Sequence, residues 1–405
     1  KNADLKGIGA VDSTLRIATN IEIAAKSDFR ESHSLKIAGD STVIEAMQNR
    51  FTPGELSFDF TTAPGGTDIK VHNGDLSIDG EMDCGYKRLF AALNKVARMN
   101  REMLEGKREL PHLHDYLEKL PDIHLDFDCG KENVLHSALA FAGVETNGIN
   151  MHADISRHGG VDISGNMLGL DASGISLDSI GLYTRQIGES LNYMIMANGI
   201  AVTSVPKENS HNAMFYGSLK CDTITSNLLL RNNINKTDSK AGIITLLSPG
   251  NLDTRFVPEA MLFGEPYSFG KNSYINIGKK MSIDADVTFT GHDNSGFKLY
   301  TTPDENAVYD ISFEVFNILL SDIVNTIPVL PDLGGSLFSK LNYRKESIGD
   351  MFTGSVGVDA LSCNRHMIGN EKIDFAYSPK SDDVHDVSCT LNHNGMDVAL
   401  IKSDY

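Results

Sequence analysis

Hydrophobic and polar residues alternate with a period of two along most of this chain. The longest regular run lies between Tyr274 and Phe289, where Ile275, Ile277 and Ile283 are separated by polar or small neighbours. Because successive side chains of a β-strand point to opposite faces, this alternation predicts strands with one apolar and one polar face. Shorter runs of the same kind recur from residue 15 to residue 375, so we predict a mainly β protein.

Turn-forming residues separate these runs. Asn-Gly and Asp-Gly pairs suit the two-residue turns of β-hairpins, in which positive φ angles are required. The spacing predicts an antiparallel meander of about 25 to 30 short strands, which is too many for one sandwich or small barrel. One continuous sheet of this size would be roughly 120–140 Å long; several sandwiches or a solenoid are the alternatives. The turn signals are Pro64-Gly65-Gly66, Asn73-Gly74, Asp79-Gly80, His158-Gly159-Gly160, residues 293–296 and Asn394-Gly395.

Three stretches break the alternation. Residues 41–51 predict a short helix with Ser41 as its N-cap, and residues 133–141 fit either a helix or a buried strand. Residues 86–105 predict an amphipathic helix that either lies on a membrane or caps the end of the sheet. Pro111 interrupts it, and residues 112–120 add a further turn or two. The predicted apolar stripe of the long helix consists of Leu89, Phe90, Leu93, Val96, Ala97 and Leu104.

These breaks suggest a division of the chain into five segments. Two of these segments are expected to interrupt the sheet: residues 86–122 because they are helical, and residues 231–272 because they are rich in loops. The expected segments are a β-groove segment at 1–85, a helical insert at 86–122, a second β-groove segment at 123–230, an irregular connection at 231–272 and a third β-groove segment at 273–405.

Composition excludes several classes of function. The chain has 405 residues and a formal net charge of −18, and such an acidic surface repels nucleic acid. No run approaches 18 apolar residues, so no transmembrane helix is expected within this sequence.

The sequence does not begin with Met and ends within a patterned stretch, and we therefore expect it to be a segment of a longer protein.

No catalytic or cofactor motif is present. The sequence has no P-loop, GxGxxG, HExxH or GxSxG motif, so we predict no catalytic residue, no cofactor and no enzyme. The five cysteines include no CxxC pair, which disfavours a structural zinc site. His112-Leu113-His114-Asp115 is the best local metal candidate but is also typical of a surface loop. The acids of Asp126-Phe127-Asp128 are typical of the solvated face of a strand, and we predict no metal.

A sheet must cover its apolar face. A sandwich does so with a second sheet, whereas a sheet curled lengthwise into a half-pipe leaves an apolar gutter. Such a gutter suits acyl chains, which gain about 0.8 kcal/mol per buried CH₂. The patterning therefore favours a long antiparallel sheet that forms a β-taco, or half-pipe groove, with an apolar interior and a small helical insert.

The last third of the chain carries a more specific pattern. It runs from YDISFEV (309–315) through IPVLPDLGGSL (327–337) and GSVGV (354–358) to MIGNEKIDFAY (367–377). In this order the motifs P-x-L-x-G-x-L, G-x-V-x-V and I-G-x-x-x-I-x-F-x-Y resemble those of the translocation and assembly module TamB and its AsmA-like relatives, particularly the forms in Bacteroidota. The likeness covers roughly residues 270–405 and is diffuse before them.

The resemblance implies a periplasm-spanning, bridge-like protein that moves phospholipid between the inner and outer membranes of a Gram-negative bacterium. It implies an inner-membrane anchor outside this sequence, phospholipid acyl chains as ligand and a BamA-type outer-membrane protein as a possible partner. Two alternatives stay open: an outer-membrane protein assembly factor that binds client strands at a sheet edge, and a structural or adhesive β-solenoid. The predicted lipid-groove residues are Leu56, Phe58, Phe60, Ile123, Leu125, Phe127, Ile275, Ile277, Ile283, Val287, Phe289, Phe297, Leu299, Ile311, Phe313, Val356, Val358, Ile373 and Phe375.

Overall fold

A computed structural model of the chain shows a mainly β protein. Strands account for 68% of the residues, and the strand pairs found among the described residues are antiparallel. The prediction of a mainly β, long antiparallel architecture is thereby confirmed. The structure describes residues 2–4, 15–46, 49–52, 54–202, 210–232, 234, 236–291, 293–326, 331–381 and 384–404. Residues 327–330 of the TamB-like motif lie outside these ranges.

The chain divides into two compact units. Unit 1 comprises residues 1–102 and 111–221, and unit 2 comprises residues 103–110 and 222–405. In the part of the chain that the structure describes, four α-helices accompany the strands: α1 (Tyr86–Leu104), α2 (Leu113–Leu117), α3 (Val134–Phe141) and α4 (Leu320–Thr326). The predicted helices at 86–105, 112–120 and 133–141 correspond to α1, α2 and α3, whereas α4 was not predicted.

Unit 1 is an antiparallel ladder of long strands. Most strands pair with their neighbours in sequence, and β8 pairs with both β7 and β10, so that α1, α2 and α3 are excursions from one continuous ladder. The strands are β1 (Asn2–Asp4), β2 (Leu15–Ser27), β3 (His33–Ala46), β4 (Asn49–Phe51), β5 (Leu56–Ala63), β6 (Gly66–Asn73), β7 (Leu76–Met82), β8 (Ile123–Cys129), β9 (Val144–Glu145), β10 (Gly148–Ser156), β11 (Gly160–Ala172), β12 (Ile175–Ile187), β13 (Ser190–Val202) and β14 (His211–Lys220).

Unit 2 is also an antiparallel ladder, but at its start some short strands share a pairing partner. From β21 onward each strand pairs with the next. Before it, β17 and β18 both pair with β16, and β19 and β20 both pair with β21. The strands are β15 (Thr223–Asn232), β16 (Thr237–Ser248), β17 (Asn251–Phe256), β18 (Glu259–Leu262), β19 (Glu265–Phe269), β20 (Tyr274–Ile277), β21 (Ile283–Gly291), β22 (Gly296–Thr301), β23 (Ala307–Leu319), β24 (Leu333–Glu346), β25 (Gly349–Cys363), β26 (His366–Ser381), β27 (Val384–His393) and β28 (Met396–Asp404).

Ser273 is buried and lies in the gap between β19 and β20. Its hydroxyl accepts a hydrogen bond from the backbone N–H of Thr288 (3.0 Å) and donates one to the Thr288 carbonyl (3.3 Å). The backbone N–H of Gly270 also donates to that carbonyl, at 2.8 Å. Ser273 thus replaces backbone groups that the break between β19 and β20 removes from the ladder.

Two expectations about elements were wrong. The described residues of the predicted helix at 41–51 form strands instead: β3 runs to Ala46, with Val43 and Ile44 opposite Ala18 and Ile17 of β2, and β4 comprises Asn49–Phe51. The β-branched side chains of this segment favour a strand over a helix. The stretch 231–272, expected to be an irregular connection, contains β16 to β19.

Most of the predicted turns lie between paired strands. Asn394 and Gly395 form the two-residue loop between β27 and β28, both with positive φ (51° and 84°). Asp79 and Gly80, by contrast, lie inside β7, where Gly80 is opposite Leu125 of β8. The Asp-Gly signal was overridden there by the pairing of β7 on both of its sides.

Helix α1 buries a different stripe from the one predicted. Ala92, Met99 and Met103 are buried, whereas Phe90 and Leu93 of the predicted stripe are 60% and 46% exposed. The buried positions are seven and four residues apart, a spacing that places them on one side of the helix as its apolar seam. Counting both methionines as apolar identifies this seam, and the predicted stripe lies about a quarter-turn away from it.

Candidate functional site

The strand register of unit 2 places one set of apolar positions on a single face. Residues directly opposite each other in neighbouring strands point to the same side of a sheet. Phe289 lies opposite Phe297, Leu299 lies opposite Phe313, and Val356 lies opposite Ile373. Following these pairs across β20 to β26 places all thirteen predicted residues of this unit on that face: Ile275, Ile277, Ile283, Val287, Phe289, Phe297, Leu299, Ile311, Phe313, Val356, Val358, Ile373 and Phe375.

On β22 to β24 the opposite face of the sheet is polar. Lys298 lies opposite Glu314, which in turn lies opposite Lys340. The Lys340 ammonium is 3.0 Å from the Glu314 carboxylate and holds the pKa of that carboxyl below its ordinary value. On these strands the two faces therefore differ in polarity, as the period-two pattern requires.

Unit 1 repeats this arrangement. Phe58 lies opposite both Ile37 and Val71, and Phe127 lies opposite Ile78 and Met151. The six predicted residues of this unit (Leu56, Phe58, Phe60, Ile123, Leu125 and Phe127) share the same face. We name the apolar side of the sheet in each unit the apolar face.

A row of aromatic rings crosses the apolar face of unit 2. Ring centroids lie 4.5 Å apart for Phe256 and Phe269, 4.6 Å for Phe269 and Phe289, and 4.8 Å for Phe289 and Phe297. Phe313 continues the row at 5.9 Å from Phe297. Contacts in this range add about 0.5–1.5 kcal/mol per pair to the area that they bury.

Part of the apolar face is buried by its own neighbours. Val287 and Phe289 are only 2% and 4% exposed, and they form a cluster with Tyr267 and Phe269. Burial raises the pKa of Tyr267, whose hydroxyl is hydrogen-bonded to Ser295 (2.6 Å). Val287 and Phe289 therefore act as packing residues in this structure and do not offer an open surface to a ligand.

Other positions on the same face stay open. Ile195 on β13 and Ile373 on β26 are 44% and 43% exposed. Among the described residues, the more extensive contacts of the strands are with their hydrogen-bonded neighbours and with short helices. The large side chains that are both on the apolar face and exposed are Ile21, Ile23, Leu182, Ile195 and Phe215 in unit 1, and Leu228, Phe352, Ile373, Val387 and Ile401 in unit 2.

Sequence reasoning missed the start of the aromatic row. Phe256, Tyr267 and Phe269 lie in the stretch expected to be irregular, on strands of only six and five residues. The alternation Tyr267-Ser268-Phe269 was a usable signal, but Pro258 and Gly264 around these short runs are typical of loops.

The apolar face suits a chain-like apolar ligand. Its exposed members are aliphatic and aromatic side chains distributed over successive strands about 4.8 Å apart, which bind apolar surface without fixing the orientation of a reacting group. The metal candidate at residues 112–115 is placed on α2, where His114 is 3.1 Å from Glu118 of the same helix.

Comparison with protein-family models, with curated proteins and with solved structures returned no match. Among the described residues, no helix combines the length and the apolar character needed to cross a bilayer. Function is therefore argued from the geometry of the two faces.

Proposed function

We propose that the chain is part of a bridge-like lipid-transfer protein, in which acyl chains of phospholipid travel along the apolar face. The observation that carries this proposal is that large side chains of the apolar face stay partly exposed in both units, exemplified by Ile195 and Ile373. Ile244, Leu246 and Leu400 on the opposite face are exposed as well, so the alignment of apolar side chains across successive strands, and not exposure alone, marks the apolar face as a binding surface.

The energetics favour this ligand. Each methylene transferred from water gains about 0.8 kcal/mol, so ten methylenes gain about 8 kcal/mol before the entropic cost of ordering the chain. Since the gain is spread over many side chains, a lipid can move from one strand to the next without crossing one dominant site. The proposal requires the open stretches of the apolar face, such as those around Ile195 and Ile373, to line the groove.

The exposure pattern favours a conduit over a solenoid with a closed core. In a closed core, Ile195 and Phe215, which lie directly opposite each other on β13 and β14, would be covered; they are 44% and 40% exposed. The resemblance of residues 270–405 to TamB supports a periplasmic location, an inner-membrane anchor outside this sequence and a BamA-type partner, and these belong to the proposal.

The proposal is tested by introducing charge on one face at a time. Ile195→Glu puts a carboxylate on the apolar face, and Asn192→Glu puts the same charge on the other face of the same strand, opposite Arg185. Each variant and the wild type are incubated with phospholipid vesicles and separated by density, and the lipid that stays with the protein is quantified by mass spectrometry.

We expect wild type and Asn192→Glu to retain phospholipid and Ile195→Glu to retain several-fold less. Circular dichroism and thermal unfolding of each variant show whether the fold has survived. Equal retention by all three folded proteins, or no retained lipid in the wild type, would overturn the proposal.

A further inference from the structure

Two short sequence segments of unit 1 repeat the pattern His-x-Asp. One is His124-Leu125-Asp126 on β8, and the other is His152-Ala153-Asp154 on β10. The two strands are antiparallel neighbours, and their register sets His152 opposite Asp126 and Asp154 opposite His124. Both segments place these side chains on the polar side of the sheet, away from the apolar face, because Leu125 and Ala153 occupy the intervening positions.

The four side chains form one connected group. Asp126 contacts both rings: its carboxylate oxygens lie 3.0 Å from Nε2 of His124 and 2.7 Å from Nδ1 of His152. The second carboxylate, that of Asp154, lies 3.9 Å from Nδ1 of His124. The two imidazole centroids are 5.3 Å apart. Ligand atoms of His124, His152 and Asp154 all lie within 4.8 Å of one another.

The contacts of Asp126 determine which ring nitrogens can bind a cation. An ionised carboxylate only accepts hydrogen bonds, so Nε2 of His124 and Nδ1 of His152 act as N–H donors toward it. In the neutral rings the lone pairs then lie on Nδ1 of His124 and Nε2 of His152. Metal-binding histidines commonly donate their other N–H to a carboxylate in this way, which fixes the tautomer and the orientation of the ring.

We propose that His124, His152 and Asp154 bind a zinc ion, with Asp126 as the positioning residue that orients both imidazoles. Zinc takes nitrogen and oxygen ligands at about 2.0–2.2 Å, so tetrahedral ligand atoms lie roughly 3.3–3.5 Å apart. The ligand side chains are about half exposed (44%, 42% and 54%) and can make the remaining adjustment. Three protein ligands leave the fourth position to water.

The surroundings favour a cation, and the donor set favours zinc. Glu81 of β7 lies opposite His124, and Asp162 of β11 lies opposite Asp154. These carboxylates make the potential around the group negative, although Arg185 neutralises part of it through its contact with Asp162 (3.2 Å). Two imidazoles favour zinc over calcium or magnesium, which prefer sets of oxygen ligands.

The site is independent of the proposed lipid path, because the side chains of successive strand residues point to opposite faces. A bound zinc would join β8 to β10, two neighbouring strands that are separated in the sequence by α3 and β9. Loss of the zinc site should therefore leave lipid retention unchanged.

The experiment measures zinc binding by competition with a chromophoric chelator, using the full chain freed of metal. Three variants are compared with the wild type: the double variant His124→Asn with His152→Asn, the single variant Asp126→Asn, and His114→Asn as control. His114 is also a histidine beside a carboxylate, that of Glu118, and its side chain is 68% exposed. The unfolding temperature of each protein is recorded with and without zinc, and with calcium in place of zinc.

We expect one equivalent of zinc to bind to the wild type and to His114→Asn, with a rise in unfolding temperature that calcium does not reproduce. The double variant should lose both effects, and Asp126→Asn should bind roughly 10- to 100-fold more weakly. Absence of binding in the wild type, or equal affinity in the wild type and a folded double variant, would overturn the site. Either result would leave a hydrogen-bonded network only.

Discussion

Phe269 on β19 lies directly opposite Phe289 on β21, and their ring centroids are 4.6 Å apart. Phe289 also stacks on Tyr267 at 4.9 Å, so that three rings on two strands fill the most deeply buried part of the apolar face in unit 2. The apolar face thus combines a packed stretch that stabilises the sheet with open stretches that can meet a ligand.

The packed and open stretches should respond differently to truncation. Phe289→Ala removes a side chain that is 4% exposed and should lower the free energy of unfolding by about 3–5 kcal/mol. Phe352→Ala makes the same change on the same face at a position that is 45% exposed and should cost about 1 kcal/mol. Denaturant unfolding of both variants checks this; equal losses would show that the two positions are equally packed.

Ser273, which lies between β19 and β20, should contribute more to the free energy of unfolding than an ordinary surface serine. Ser273→Ala leaves the backbone N–H of Thr288 without its acceptor and should cost about 1–3 kcal/mol. Ser268→Ala, at an exposed position of β19, should change stability by less than about 0.5 kcal/mol. Hydrogen exchange at the Thr288 amide is the direct measurement. Protection of that amide in Ser273→Ala as strong as in the wild type would contradict the role given to Ser273.

Arg344 should make the stability of unit 2 depend on pH. Its guanidinium contacts Asp304 (2.8 Å), Asp310 (3.1 Å) and Glu346 (2.6 Å). The pKa of Asp304 is lowered, first by the backbone N–H of Asn306 and then by Arg344. Such a carboxyl stabilises the fold at pH values above its unfolded pKa, and this contribution is lost as the pH falls through the lower, folded pKa.

Arg344→Met should therefore lower the unfolding temperature at neutral pH, and the difference from the wild type should shrink in acid, once the carboxyl groups are protonated. Arg98→Met is a suitable control, since Arg98 is mainly exposed and its contact with Glu102 is 3.8 Å long. A difference for Arg344→Met that is independent of pH would indicate lost packing rather than lost charge pairing.

Helix α1 offers a comparison between its two apolar stripes. Met99→Ala removes a side chain that is 2% exposed and should cost about 2–5 kcal/mol. Phe90→Ala, at a position that is 60% exposed, should change the free energy of unfolding by no more than about 0.5 kcal/mol. Thermal or urea unfolding distinguishes the two, and a larger loss for Phe90→Ala would restore the stripe predicted from the sequence.

The period-two pattern predicted the class of fold, and within each strand it showed which side chains share a face. Ile283, Val287 and Phe289 of β21 could be assigned to one face before any pairing was known, whereas placing Phe313 on that face too depended on the register of the strands. The pattern failed where strands are short and flanked by proline or glycine, as at Phe256 and Phe269, and it could not show which of the aligned side chains their neighbours would cover.

The histidine and aspartate group illustrates a second limit. Both His-x-Asp segments are visible in the sequence, but His124 and His152 are separated by α3 and β9. Their meeting depends on β8 pairing with β10 in one register. A shift of one residue would move the side chains of one strand to the other face. The local sequence pattern could therefore place these histidines and aspartates on the polar faces of their strands, but it could not show that they meet.

The most direct test of the lipid-conduit account is photocrosslinking at two adjacent residues of β26. Ile373 points to the apolar face, and Lys372 points to the opposite face with a side chain that is 42% exposed, close to the 43% of Ile373. A photoreactive amino acid is placed at each position in turn in the full-length protein in cells, and the adducts are analysed for phospholipid by mass spectrometry. The account predicts a phospholipid adduct at Ile373 and none, or several-fold less, at Lys372. Equal labelling at both positions, or no lipid adduct at Ile373 in a folded protein, would contradict it.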